Sequence, residues 1–247
     1  MVLATLTVAL AVGAACQASS PAHTQALVEL YTSQGCSSCP PADRWLSRFD
    51  PRATAGAVPL ALHVGYWDYI GWKDPYARRE FNARQEWLAE LNRNRTVYTP
   101  GVFLQAREMP RWSEGATFDS ALRTIAAKPA RAKIDLAVES VQAGAVQVNA
   151  RAELAGESGS ANARLFVALT ESGIDTPVKA GENRGVTLHN DHVTRDWSGP
   201  LALGAQKVAL TAPATAGAQR AVVAFVQDLA TGDVLQALRL PLAACTP

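Results

Sequence analysis

The sequence predicts two folded domains: an α/β domain over residues 25–129 and an all-β, sandwich-like domain over residues 130–247. Two observations lead to this division. Before residue 129, short apolar runs alternate with amphipathic helical segments, which is the order of an α/β fold. After Lys128-Pro129 the apolar residues recur with a period of two, which is typical of β-strands.

In the first half, each element follows from local composition. Strands are predicted over 26–31, 58–64, 101–104 and, as an edge strand, 109–112. Helices are predicted to begin at Pro40, to span 75–92, and to span 118–127 with Thr117 as the N-cap. This alternation, ending in a hairpin and a helix, is the order of a thioredoxin-like domain.

In the second half, apolar residues alternate with small or polar ones, and glycine-containing turns separate the runs. About seven short strands of this kind predict a β-sandwich. The alternating positions are Ile134/Leu136/Val138, Val146/Val148, Leu165/Val167/Leu169, Val208/Leu210 and Val222/Ala224/Val226, followed by a last strand over 234–242.

Charge and hydropathy narrow the function classes. The formal net charge is +1, and no basic stripe is visible, so no nucleic-acid partner is expected. Residues 1–15 are apolar and a polar spacer follows them, which is typical of a signal peptide. No later segment is long and apolar enough for a transmembrane helix. We therefore expect a periplasmic or secreted protein.

Two outcomes are open at the end of this signal peptide. Cleavage after Ala18 would remove residues 1–18. Alternatively, Cys16 would become the lipid-modified first residue of an outer-membrane lipoprotein. In either case Cys245 is left without a partner cysteine, and its position near the C-terminus suggests no role.

The pair Cys36 and Cys39 has CxxC spacing, between a predicted buried strand and the start of a helix. Free N–H groups and the helix dipole lower a thiol pKa at such a position, so Cys36 is the predicted nucleophile and Cys39 the resolving cysteine. A zinc site would need a second ligand pair, and the sequence has no other CxxC. A metal site and an inert disulfide clip remain as alternatives to a redox pair.

The Thr99-Pro100 step comes directly before the third predicted strand. In thioredoxin folds a cis-proline at this place packs against the disulfide, so Pro100 is predicted to belong to the catalytic site and Thr99 to the substrate groove. A second segment, containing Trp67, Asp68 and Trp72, is either a substrate-contacting loop or a small satellite core.

These motifs belong to a longer pattern, formed by residues 28–43, 63–75, 84–85 and 98–100 and by the C-terminal stretches 181–185 and 188–190. The pattern resembles a family of secreted, thioredoxin-like bacterial proteins classed as a domain of unknown function, DUF1223. The resemblance covers most of the chain after the signal peptide. It implies the fold and export, and it implies no substrate.

His63 ends the second predicted strand, at the rim where the CxxC pair is expected. It is either a histidine satisfied by its own loop or, with Cys36 and Cys39, the third ligand of a copper site, because thiolates and imidazole suit copper. Glu29, inside the first strand, is either a buried proton acceptor below the disulfide or an outward-facing side chain.

Three functions follow from these residues. The leading hypothesis is thiol–disulfide exchange with the thiols or disulfides of an exported protein, which needs no cofactor beyond the Cys36–Cys39 disulfide. The second is a copper metallochaperone that uses Cys36, Cys39 and His63. The third is a non-catalytic binding module with a structural disulfide. The direction of redox chemistry, the role of the β-sandwich and the oligomeric state stay open.

Overall fold

A computed structural model describes residues 16–50, 57–142, 144–156 and 160–245. The predicted core of the signal peptide, residues 1–15, lies outside the described residues. Within them the chain forms fourteen strands and three α-helices. None of the described helices is long and apolar enough to cross a membrane.

The strands are β1 (Gln17–Ser19), β2 (Ala26–Thr32), β3 (Ala57–His63), β4 (Gly101–Leu104), β5 (Arg107–Glu108), β6 (Ala132–Gln142), β7 (Ala145–Leu154), β8 (Ala163–Ser172), β9 (Ile174–Pro177), β10 (Thr187–Asn190), β11 (Val193–Leu201), β12 (Gly204–Thr211), β13 (Gln219–Asp228) and β14 (Val234–Pro241). The helices are α1 (Pro40–Leu46), α2 (Arg79–Leu91) and α3 (Gly115–Ala126).

An eight-stranded sheet in the order β14-β13-β8-β11-β3-β2-β4-β5 runs through the molecule. β2 and β3 are parallel, and β11 joins β3 in parallel with Val193 opposite Ala61. The backbone N–H of Ala61 donates to the carbonyl of His192 at 2.9 Å. On its other side β11 pairs antiparallel with β8. Strands from the two halves of the sequence therefore form one continuous sheet.

The predicted fold class is wrong. The structure is mostly β, and β2 to β5 do not form a separate α/β thioredoxin-like domain, because the same sheet continues into β11, β8, β13 and β14. One of the three hydrophobic clusters among the described residues is shared as well: Leu27, Tyr31 and Phe81 pack with Phe166 and Phe225. The predicted boundary at residues 129 and 130 thus cuts through the large sheet and this shared cluster, while the buried residues of the other two clusters each lie on one side of it.

The second sheet, β1-β6-β7-β12, covers only the C-terminal part of the large sheet. Ile134 and Leu136 of β6 pack with Leu165, Val167 and other inward side chains of β8 and β13. The other face of β8 and β13 carries Phe166 and Phe225, which stack at 4.8 Å between ring centroids. Both faces of these strands are buried, so their apolar residues are continuous rather than alternating.

A buried ion pair joins the two halves inside the shared core. The guanidinium of Arg84 on α2 donates to the Glu29 carboxylate of β2 at 2.6 and 3.1 Å and to Gln227 Oε1 of β13 at 2.9 Å. Tyr31 Oη donates to the same carboxylate at 3.2 Å. Glu29 is therefore buried, as one sequence interpretation had it, but its partner is Arg84.

Two local predictions are wrong. The edge strand is Arg107–Glu108, and residues 109–112 form turns, because Gln105 and Ala106 take positive φ values of 52° and 61° and turn the chain back immediately after β4. Helix α3 begins at Gly115 with Glu114 as its N-cap residue, so Thr117 lies inside the helix. The predicted strands and helices over 26–31, 58–64, 101–104 and 75–92 are present within a few residues.

Cys245 has a partner, contrary to the sequence interpretation. It forms a disulfide with Cys16, and both residues pack at the edge of the core between the two sheets. The predicted cleavage site after Ala18 lies inside β1, which pairs with β6. Lipid modification would need the same Cys16 sulfur that the disulfide with Cys245 occupies, so the two modifications exclude each other.

Candidate functional site

The Cys36–Cys39 disulfide lies in the turn between β2 and α1, with a Cα–Cα distance of 5.4 Å. Both cysteines have 0% exposed surface, whereas the intervening Ser37 and Ser38 are exposed. The N–H of Cys36 donates to Ser33 O at 3.1 Å, and Cys39 is the N-cap residue of α1. The helix therefore begins after Cys39, and Cys36 precedes it by one turn, which differs from the predicted placement of Cys36 at the helix N-terminus.

The Thr99-Pro100 segment reaches the disulfide from the other side of the loop. The peptide bond between Thr99 and Pro100 is cis, and the Sγ of Cys36 lies 3.9 Å from the Thr99 carbonyl oxygen. The preceding carbonyl, that of Tyr98, accepts a 2.7 Å hydrogen bond from Gln85 Nε2 on α2. The structure thus brings Cys36, Thr99 and Pro100 together.

The loop with Trp67, Asp68 and Trp72 makes internal contacts that position the cysteine loop. Trp67 Nε1 donates to Thr99 Oγ1 at 2.7 Å, and Trp72 Nε1 donates to the side-chain oxygen of Gln34 at 3.1 Å. Asp68 Oδ1 accepts the N–H of Asp74 at 3.1 Å. Their polar groups already have partners within the chain, as the satellite-core interpretation expects.

The chain is tightly packed at Gly35, next to Cys36. A Cβ at Gly35 would lie 3.0 Å from the Cβ of Trp67, which is closer than most Cβ contacts, so a larger residue would require Trp67 to shift. Close packing against the Trp67 loop therefore favours glycine at this position.

His63 and Asp74 form a buried pair behind the cysteine loop. The Nδ1 of His63 lies 2.8 Å from Asp74 Oδ2, and the same oxygen accepts the N–H of Gln34 at 2.8 Å. Burial acts to raise the pKa of Asp74, but His63 and two backbone N–H groups outweigh it, so the pKa is lowered. Burial acts to lower the pKa of His63, but the Asp74 carboxylate outweighs it, so the pKa is raised. Both shifts favour the charged forms of the pair.

Asp43 adds a third titratable group to this side of the disulfide. It lies one helical turn after Cys39 on α1, and its backbone N–H donates to Cys39 O at 3.1 Å. Burial of the carboxyl raises the pKa of Asp43 to about 6, although the neighbouring charge of His63 acts to lower it. A carboxyl with this pKa exchanges protons near neutral pH.

The structure gives no metal-binding arrangement to His63 and the two cysteines. Among residues 16–50, 57–142, 144–156 and 160–245, no three His, Cys, Asp or Glu side chains are placed to hold a metal ion. His63 is paired with Asp74, and the two sulfurs are bonded to each other. The copper hypothesis gains no structural support.

The sequence analysis assigns no site role to Asp43, Glu182 or Asn183, and it does not predict the pairing of Asp74 with His63. Glu182 and Asn183 hydrogen-bond to the cysteine loop from the far end of the sequence. A pattern signal for all four was present, since each falls inside a stretch that carries the family resemblance. Their roles needed the three-dimensional contacts.

Comparisons with known proteins agree with that resemblance. The family model described as "Protein of unknown function (DUF1223)" matches residues 27–227. A solved structure of the Agrobacterium tumefaciens protein AGR_C_4864 is 25% identical, with a TM-score of 0.57 over 88% of this chain and 94% of that one. The structure of HBP35 of Porphyromonas gingivalis is 12% identical, with a TM-score of 0.60 over 89% of this chain and 76% of that one, and this likeness shows the fold alone. None of the curated proteins matches the chain. The chain therefore belongs to the DUF1223 family of proteins of unknown function.

Proposed function

We propose that this protein carries out thiol–disulfide exchange with an exported protein through Cys36 and Cys39. The observation that carries the proposal is the Cys36–Cys39 disulfide, which joins residues only three apart and lies 3.9 Å from the Thr99 carbonyl oxygen. Asp43, whose carboxyl pKa burial raises, follows Cys39 by one helical turn. Such a short cross-link restrains the unfolded chain little, so chemistry explains it better than stability does.

The reaction balances without any further reagent. In the reduced protein the Cys36 thiolate attacks one sulfur of the partner's disulfide, and the partner's other sulfur leaves as a thiolate. Cys39 then attacks Cys36 Sγ in the mixed disulfide and releases the partner's first sulfur. Two electrons and the two thiol protons pass to the partner, and the Cys36–Cys39 bond forms. With a dithiol partner the same steps run in reverse.

The buried polar groups suit the proton transfers of this cycle. Asp43 lies one turn beyond Cys39 on α1, and its pKa of about 6 lets it hold or release a proton near neutral pH. Asp74 holds the N–H of Gln34 and so supports the loop that carries Cys36. An exported location is part of the proposal and is supported by the two disulfides, since disulfides persist in oxidising compartments.

The test is to trap the mixed disulfide. The reduced Cys39→Ser variant, incubated with a peptide that contains one internal disulfide, should accumulate a covalent adduct that is visible by mass spectrometry and lost on reduction. Cys36→Ser is the matched control and should form little adduct, because the attacking sulfur is missing. Equal adduct in both variants, or none in either, would overturn the proposal.

A further inference from the structure

Residues 178–186, which we name the cover, close the site over the disulfide. The Glu182 carboxylate accepts the backbone N–H of Ser37 at 2.8 Å. The Asn183 amide donates to the carbonyls of Gln34 and Cys36, both at 2.9 Å, and Asn183 is itself only 6% exposed. The cover thus occupies the backbone hydrogen-bonding groups on both sides of Cys36.

The cover packs closely against the loop that contains Trp67 and Trp72. Gly181 has a φ of +73°, and a Cβ there would lie 3.2 Å from the Cβ of Trp72 and 3.4 Å from Cδ1 of Ile70. Trp72 in turn hydrogen-bonds to Gln34 in the cysteine loop. The cover therefore contacts both the cysteine loop and the loop that supports it.

The cover is held to the rest of the molecule mainly through its tip and through the base of its ribbon. It is the tip of the β9–β10 ribbon, a two-stranded sheet that pairs with neither large sheet among the described residues. Its own hydrogen bonds, Val178 N–H to Val186 O and Gly185 N–H to Val178 O, both at 2.9 Å, are internal. Displacement of the Glu182–Asn183 tip would break the bonds to the cysteine loop and leave the bonds within the ribbon intact. The base of the ribbon stays anchored by the hydrogen bond between Tyr76 Oη and Thr176 Oγ1 at 3.1 Å and by the buried Leu188.

Two exposed apolar side chains lie on the segments that enclose the disulfide. Val186 belongs to the cover, and Tyr69 belongs to the loop that contains Trp67 and Trp72. Exposed apolar side chains on these two segments fit contact with a polypeptide.

We propose that the cover gates the disulfide, and that its natural competitor is an extended polypeptide segment of the exported partner. An extended backbone offers a carbonyl oxygen to replace Glu182 at Ser37 N–H and an N–H to replace Asn183 at the Gln34 and Cys36 carbonyls. A small thiol makes no such replacement and reaches the disulfide only when the cover opens by itself. The gate rests on the proposed function, because it specifies how that site admits its substrate.

The experiment measures how fast the Cys36–Cys39 disulfide of the full chain is reduced, by alkylation and mass spectrometry. One reductant is dithiothreitol, and the other is an unstructured peptide with two cysteines. Glu182→Ala and Asn183→Ala remove the contacts to the cysteine loop. Glu182→Gln retains an oxygen that accepts the Ser37 N–H, and Arg184→Ala alters an exposed side chain of the same segment.

With dithiothreitol, the two contact-removing variants should react roughly fivefold faster than the wild type, as expected for loss of a charge-assisted or buried hydrogen bond. Glu182→Gln keeps the hydrogen bond and loses its charge, so its rate should lie between those of the wild type and Glu182→Ala. Arg184→Ala should not change the rate. The reduction rate of Cys16–Cys245 in the same samples reports global opening and should stay constant. With the peptide, the wild type should react faster than with dithiothreitol at equal thiol concentration.

The outcomes separate the two proposals. Equal dithiothreitol rates in all variants, with peptide exchange still present, would overturn the gate and leave the proposed function standing. Faster dithiothreitol reduction in the variants, with no peptide exchange in any of them, would overturn the proposed function and the peptide as the competitor. Parallel acceleration at Cys16–Cys245 would show general destabilisation and would also overturn the gate.

Discussion

The two disulfides of this protein differ in the length of chain that they close and in their surroundings. Cys16–Cys245 joins residues 229 apart and packs against the apolar core between the sheets. Cys36–Cys39 joins residues three apart and lies beside Asp43, His63 and Asp74 under the cover. The first cross-link restricts the unfolded chain strongly, and the second restricts it little. The difference supports a stabilising role for the long cross-link, and it supports the exchange chemistry that we propose for the short one.

The largest expected effect is on stability. The chain-entropy relation gives about 5 kcal/mol for a cross-link of the Cys16–Cys245 length and about 2 kcal/mol for one of the Cys36–Cys39 length. The double variant Cys16→Ser/Cys245→Ser should therefore lose more free energy of unfolding than Cys36→Ser/Cys39→Ser, as measured by urea unfolding under non-reducing conditions. The reverse order would show that the short disulfide is the structural one.

The same comparison predicts a smaller, pH-dependent effect at the CxxC site. Burial raises the pKa of Asp43 from 3.8 to about 6. Between these two pH values the folded protein therefore binds a proton that the unfolded chain has released. The stability from this proton is fully present below pH 3.8 and is lost as the pH rises through about 6. At pH 8, Asp43→Asn should thus be more stable than the wild type, by about 1 kcal/mol because the residue keeps some contact with solvent.

This difference should disappear toward pH 4, where the wild-type carboxyl is protonated as well. Thermal unfolding at several pH values measures it. Asp119→Asn, which alters an exposed aspartate on α3, is the control and should change the melting temperature little at either pH. A stabilisation by Asp43→Asn that is the same at pH 4 and pH 8 would contradict a buried, titrating carboxyl.

Local sequence predicts the elements whose structure depends on residues close together along the chain. The apolar run of β2, the turn into Pro40 and the amphipathic pattern of α2 each act within one element, and the CxxC motif is readable from its spacing. The pairing of β11 with β3 was missed because Val193 and Ala61 meet only in the folded chain. The continuous apolar runs of β8 and β13 indicate strands that are buried on both faces, whereas the strands of a two-sheet sandwich bury one face only.

The sequence predicts Cys36, Cys39 and Pro100 as site residues because a spacing motif and a residue directly before a strand are local features. The structure places them together, and their role in chemistry stays a prediction. Glu182 and Asn183 act on backbone groups 145 to 149 residues away, and such contacts leave no trace in local composition or period.

The measurement that tests the central claim most directly is the reduction potential of each disulfide in the same purified protein, equilibrated against glutathione or dithiothreitol buffers. The account predicts that Cys36–Cys39 titrates in the range of exchange proteins, roughly −120 to −270 mV, while Cys16–Cys245 stays oxidised to below about −300 mV. A potential below about −300 mV for Cys36–Cys39 as well would make it a structural bond and would contradict the assignment of exchange chemistry to this site.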